Sequence, residues 1–162
     1  MATMDHWLFG LTLVTAIGSG LMAGVFFAFS TFVMRALARL PAHEGIAAMQ
    51  SINVAVINPV FLGGFLGTAV ACAAEIVCAG VCWQRSGAAY LLAGAALYLA
   101  GTFFVTMRFN VPLNNSLAAI SPSGPDAAEH WASYVRRWTA WNHVRTIAAA
   151  AASAAFTIAL GR

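Results

Sequence analysis

Residues 59–83 read PVFLGGFLGTAVACAAEIVCAGVCW, and a single charged side chain, Glu75, interrupts the stretch. A membrane-spanning helix needs about 20 mostly apolar residues. Three further charge-free runs match this one: from Asp5 to Arg35, from Arg85 to Arg108 and from Arg145 to Arg162. The last reaches spanning length only when it starts near Asn142. In lipid the backbone must satisfy its own polar groups, and runs this continuous do so as helices. The pattern predicts an all-α integral membrane four-helix bundle, a single transmembrane domain with spans at about 7–34, 59–83, 87–107 and 142–161. The first run is too long and too weakly basic at its start for a cleaved signal peptide.

Composition supports this. The chain of 162 residues is 61% hydrophobic and 8% charged, where a soluble domain carries roughly 25% charged residues. A soluble globular protein and a disordered chain are excluded. The eight arginines, with no lysine, are scattered rather than clustered, so nucleic acid is not an expected partner. Cys72, Cys78 and Cys82 show no CxxC spacing, and no histidine pair has HxxxH spacing. No metal site is expected, and the cysteines read as small packing residues.

Four antiparallel spans leave a tight turn at Gln84–Ser86 and two long polar loops, 35–58 and 108–141, which crossing parity puts on one membrane face. That face carries Arg35, Arg39, Arg108, Arg136, Arg137 and Arg145, against Arg85 and Arg162 on the other. The arginine bias predicts cytoplasmic long loops and both termini outside, in a bacterial plasma membrane. Trp7, Trp83 and Tyr90 would form the outer aromatic belt. Gly20 with Gly24 and Gly63 with Gly67 are small-xxx-small pairs that suit close helix packing or a homo-oligomer contact.

Polar residues gather at the long-loop end. Asp126 and Glu129 have capping-box spacing and open an amphipathic interfacial helix before the last span. On it Trp131, Tyr134, Trp138, Trp141, Asn142 and Arg145 fall on one stripe at 100° per residue. An ionisable residue inside a span marks a functional site, which singles out Arg145. His143 lies about 200° away from Arg145 around the helix. Arg108, Asn110 and Asn114 surround Pro112, which is expected to stop the third helix. Asn53 and Asn58 lead into Pro59, a first-turn proline. Ser30, Thr31, Thr102 and Thr106 lie at the same end. Glu75 is about 24 Å into its span at 1.5 Å per residue, too deep to meet Arg145. Arg85 or Arg162 is its expected partner, or the carboxyl stays protonated.

The segments GVFFAFSTFVMRALARLP (24–41), GIAAMQSINVAVINPVF (45–61), FNVPLNNSLAA (109–119) and WTAWNHVRT (138–146) together resemble the anthrone oxygenase family of small four-helix membrane proteins. The resemblance implies oxidation of a hydroxylated anthrone to an anthraquinone by O2, with no metal or flavin. It covers Asn53, Asn58, Pro59, Asn110, Pro112, Asn114, Trp138, Trp141, Asn142, His143 and Arg145.

On that reading a lipophilic aromatic small molecule enters from the bilayer. Trp138 and Trp141 offer stacking surfaces. Arg145, helped by Arg108, stabilises developing oxyanions. Asn110, Asn114 and Asn142 donate hydrogen bonds, and His143 is the motif residue suited to take a proton. Arg145, Asn142 and Trp138 are expected to line one pocket completed by Asn110, Asn114 and Asn58, with Asn53 nearby. Competing expectations are a membrane protein that holds a quinone, haem or lipid without turnover, and a structural membrane protein.

Overall fold

A computed structural model describes residues 2–81, 83 and 87–162, with side chains from residue 6 onward. Among these residues there are five helical rods and no strand. Rod α1 (Ala2–Ala28) passes through a π-helical turn (Phe29–Val33) into a short α-helical end (Met34–Leu37). Rod α2 spans Ala42–Ala55 and α3 spans Pro59–Val81. Rod α4 begins at Ala88–Ala96, turns π-helical over Leu97–Phe104 and Thr106–Asn110, and ends as an α-helix over Val111–Ala118. Rod α5 runs unbroken from Ala127 to Leu160.

Four of the rods, all but α2, are long and apolar enough to cross a membrane. They form a ring in which α1 packs on α3 and α5, and α4 packs on α3 and α5. Val60, Val70, Val81 and Ile147 are all at least 70% exposed; on rods of this length such side chains are lipid-facing surface. Between membrane helices burial gives little driving force, so close packing must hold the bundle. A Cβ added to Gly94 would come within 2.9 Å of the Phe156 ring, and Gly101 faces Ala148. The glycines of α4 therefore let α5 approach. Of the paired glycines noted above, Gly20 faces Ser153, while Gly24, Gly63 and Gly67 border open space.

One expectation about the long loops needs correction. Pro112 does not stop the third helix. The rod continues to Ala118 because Pro112 stands in the first turn of a new α segment, directly after the π-helical Thr106–Asn110. The wider turn eases the clash a proline ring makes with the carbonyl one turn back. The interfacial helix runs on into the fourth span as one unbroken rod. Asp126 does stand at its N-cap, but its side chain makes no capping hydrogen bond.

The two connections meet at one end. There α2 packs on α5 and on the end of α4, closing a core of Met34, Ile46, Met49, Leu117, Trp131, Tyr134 and Trp138. Gln50 ties this cap down by donating from Nε2 to the carbonyls of Leu117 (2.9 Å) and Ile120 (3.0 Å). The Leu117 carbonyl also accepts from the Ile120 amide at 3.2 Å, and the Ile120 carbonyl lies just past the helix end, where no further helical turn follows. Trp131 and Tyr134 therefore face protein, not headgroups. The turn 84–86, with Arg85, and Cys82 lie outside the described residues.

Candidate functional site

The stripe read from the sequence, apart from the partly buried Trp141, is the buried face of α5. Trp131, Tyr134, Trp138, Asn142 and Arg145 are all at most 5% exposed. Arg145 sits at its inner end. Its Nη2 donates to Asn142 Oδ1 at 2.6 Å and its Nη1 to Thr106 Oγ1 at 3.3 Å. The guanidinium carbon lies 4.3 Å from the centre of the Phe26 ring and 5.1 Å from that of Trp138. Aromatic faces attract a cation more strongly once water is removed. The Arg145 Nε is buried and has no hydrogen-bond partner among the described residues.

Asn142 is held as firmly as it holds. Its Nδ2 donates to the Phe26 carbonyl and to Ser30 Oγ, both at 2.7 Å. Ser30 Oγ and Thr146 Oγ1 are 3.0 Å apart and share a hydrogen bond. Thr106, which accepts from Arg145, and Ser30, which accepts from Asn142, both lie within π-helical turns, of α4 and of α1. Such turns recur at functional sites because they realign side chains and backbone acceptors.

The FNVPLNN segment reaches the same place from α4. Asn110 is fully buried and donates to the Trp138 carbonyl at 3.2 Å, leaving its Oδ1 without a partner among the described residues. Asn114, one turn later, accepts from Tyr134 Oη at 3.0 Å and from Trp138 Nε1 at 2.8 Å. Both asparagines share a face because the helix continues through Pro112. Asn53, on α2, is half-buried beside Tyr134, and its Nδ2 has no hydrogen-bond partner among the described residues.

Arg145, Asn142, Trp138, Asn110 and Asn114 therefore come together, with Asn53 at the rim. The other candidates do not join them. Asn58 is exposed and caps α3, its Oδ1 accepting from the amides of Val60 (3.1 Å) and Phe61 (3.0 Å). That is the ordinary duty of asparagine at a helix start, and it corrects the expectation that Asn58 completes the pocket. Trp141 stacks on Phe109 with ring centres 3.7 Å apart, and Arg108 is exposed over that same Phe109. His143 is exposed on the opposite flank of α5, away from Arg145, as its helical angle implied.

The sequence reading missed Phe26, Thr146 and Gln50. Phe26 contributes a ring and a backbone carbonyl from an unbroken apolar run, where nothing in the local pattern marks it. Thr146 follows Arg145 directly, and only its contact with Ser30 across the bundle reveals its part.

Glu75 is fully buried in α3 beside Thr12, and neither carboxyl oxygen has a hydrogen-bond partner among the described residues. Arg162, one of its two expected partners, lies over the Tyr90 ring.

Chemically, the cluster offers a desolvated cation, aromatic faces and unpaired polar atoms at Arg145 and Asn110. Groups of this kind suit an oxygen-bearing anion. Among the described residues no carboxylate pairs with Arg145, so a bound anion would be its counter-charge. The family model described as anthrone oxygenase matches residues 54–155, a range that contains Asn110, Asn114, Trp138, Asn142 and Arg145. Comparisons with curated proteins and with solved structures gave no match. With the match extending over more than half of its length, the chain belongs to the anthrone oxygenase family.

Proposed function

We propose that this protein is a membrane-embedded oxygenase that oxidises lipophilic hydroxyaromatic, anthrone-like substrates with O2 and without a further cofactor. The observation that carries the reading is Arg145: a guanidinium 4% exposed, framed by Phe26 and Trp138, with no acidic partner among the described residues. A buried cation without a counter-charge is costly. An enolate or phenolate would supply that charge, and the family match supports such a substrate.

The chemistry follows from the substrate. Loss of the ring methylene proton leaves an electron pair delocalised onto oxygen. Arg145 stabilises that oxygen where low dielectric strengthens the interaction. The carbanion gives one electron to O2, the two radicals combine to a peroxide, and loss of water leaves the new carbonyl. One O2 is consumed and one water released per ring oxidised. Asn142 fixes the guanidinium and Trp138 supplies a stacking face. In this reading the chain is a single transmembrane domain in a bacterial plasma membrane, its long-loop end facing the cytoplasm and its substrate arriving through the lipid.

The test is O2 uptake by the detergent-purified protein with dithranol or emodin anthrone. Uptake above the autoxidation rate that disappears in Arg145→Ala supports the reading. Uptake no faster than autoxidation, or a co-purifying haem or quinone chromophore without turnover, overturns it.

A further inference from the structure

A groove of about 420 Å³ opens between α1 and α5 on the flank opposite the Trp141–Phe109 stack, within the size range of small-molecule sites. Its apolar surface comes from Met34, Ala38, Val135 and Ala140, and its polar rim from the two cations Arg35 and Arg136 together with His143. None of its lining residues is acidic. The rim therefore favours an anion, and the apolar surface favours an amphiphile.

Two details set the groove apart from an ordinary solvated flank. The first is Thr139, whose hydroxyl is buried in the groove wall with no hydrogen-bond partner among the described residues. A helical threonine ordinarily returns its hydroxyl to the carbonyl four residues back. Thr15, Thr31, Thr68, Thr106, Thr146 and Thr157 all do so here. The second is Ser30, which lines the groove and also accepts from Asn142 Nδ2 at 2.7 Å. One side chain therefore links the groove to the Arg145 network, and it lies on the π-helical turn of α1.

We propose that this groove is the docking place where the acidic hydroxyaromatic substrate leaves the lipid, its oxygens held by Arg35, Arg136, His143 and Thr139, before it passes Ser30 to reach Arg145. The inference rests on the oxygenase reading for the substrate's identity and adds the route by which that substrate reaches a closed site. It also gives His143 a part that its position outside the Arg145 cluster permits.

The test uses the full-length protein in phosphatidylcholine nanodiscs, with emodin as a binding probe and emodin anthrone as a substrate. Ala140→Trp fills the groove from an exposed position, and Arg35→Gln/Arg136→Gln removes its charge. Val70→Trp, at a lipid-facing position of α3 that does not line the groove, is the control. Both groove variants are expected to raise KM and weaken emodin binding by about tenfold while kcat changes much less, the signature of lost docking rather than lost chemistry. The control keeps wild-type values. Ala38→Trp, also exposed, serves as a second blocking variant. Groove variants that bind emodin as wild type does overturn the proposal even if the oxygenase reading stands. A charge variant that loses only co-purified phosphatidylglycerol, with KM unchanged, also overturns it, because the groove would then be a lipid site. Wild-type protein that binds emodin but consumes no O2 sinks the oxygenase reading alone, and the effect of Ala140→Trp on emodin binding still decides the groove. Wild-type protein that binds no emodin overturns both.

Discussion

Arg145 Nη2 donates to Asn142 Oδ1 at 2.6 Å, and Asn142 is itself fixed to Phe26 and Ser30 on the neighbouring helix. The guanidinium is therefore aimed by α1 as well as by its own helix. Arg145 is the group that would touch substrate, and Asn142 is a positioning residue. If Arg145 stabilises charge that develops in the transition state, Arg145→Ala lowers turnover by roughly 10²–10³. Arg145→Lys does not restore it, because an ammonium lacks the planar fork that reaches Asn142 and Thr106 together. Asn142→Ala lowers kcat with a smaller change in KM. Steady-state O2 uptake on folded, membrane-inserted variants checks all three. Wild-type turnover in Arg145→Ala removes the site.

Asn114 accepts two hydrogen bonds from buried donors, Tyr134 Oη and Trp138 Nε1. Asn114→Leu leaves both unsatisfied, at a cost of about 1–3 kcal/mol for each buried group that finds no new partner. Thermal unfolding in detergent is expected to shift down clearly. Asn115→Ala, at an exposed neighbour that makes neither bond, leaves it unchanged. Equal unfolding of the two variants would show that Asn114 does not hold the aromatic stripe.

The fold was legible because it rests on a coarse signal. Charge-free runs near Leu11, Phe65, Leu99 and Ala150 need only be counted, and lipid leaves the backbone few alternatives. The stripe from Trp131 to Arg145 was legible because one helix carries all of it, so its geometry follows from 100° per residue. What escaped depends on contacts between helices. Nothing around Pro112 announces the π-helical turn that lets the rod continue past it. Asn58 and Asn114 are chemically identical, yet one caps a helix start and the other receives Trp138, a difference set by which neighbours α2 and α5 present.

His143 lies on the groove rim, outside the Arg145 cluster. A base that abstracts a proton must come within hydrogen-bond reach of it. For a substrate bound against Arg145, His143→Ala is therefore expected to lower kcat less than tenfold, below the usual effect of losing a general base, and to raise KM. Rates measured across a range of pH decide the point. A large loss in kcat that shrinks at high pH would make His143 the base and move the chemistry into the groove.

Orientation rests on the arginines of the long-loop end, with Arg35, Arg39, Arg136 and Arg137 outnumbering Arg85 and Arg162 even without the site arginines. Cytoplasmic loops carry such an excess. A C-terminal alkaline phosphatase fusion is expected to be active and a green fluorescent protein fusion dark. The opposite pattern reverses the orientation and leaves the meeting of α2, α4 and α5 at one end untouched.

Glu75 supplies the last prediction, because it separates a structural role from an incidental one. Its side chain is fully buried between α1 and α3 chain segments that carry Thr12 and Cys72, and both oxygens lack hydrogen bonds among the described residues. A buried polar group without a partner weakens a fold, and replacing it by an apolar side chain of similar volume is often neutral or stabilising. Glu75→Leu is therefore expected to unfold in detergent at the same temperature as wild type or higher. Glu75→Gln brings an amide with two donors into the same place and is expected to unfold lower. Both variants should retain O2 uptake, since Glu75 lies far along the bundle from Arg145. A fall of more than about 3 kcal/mol in Glu75→Leu, the size that follows from breaking a buried pair, would show that the carboxyl has a partner and that it ties the helices together.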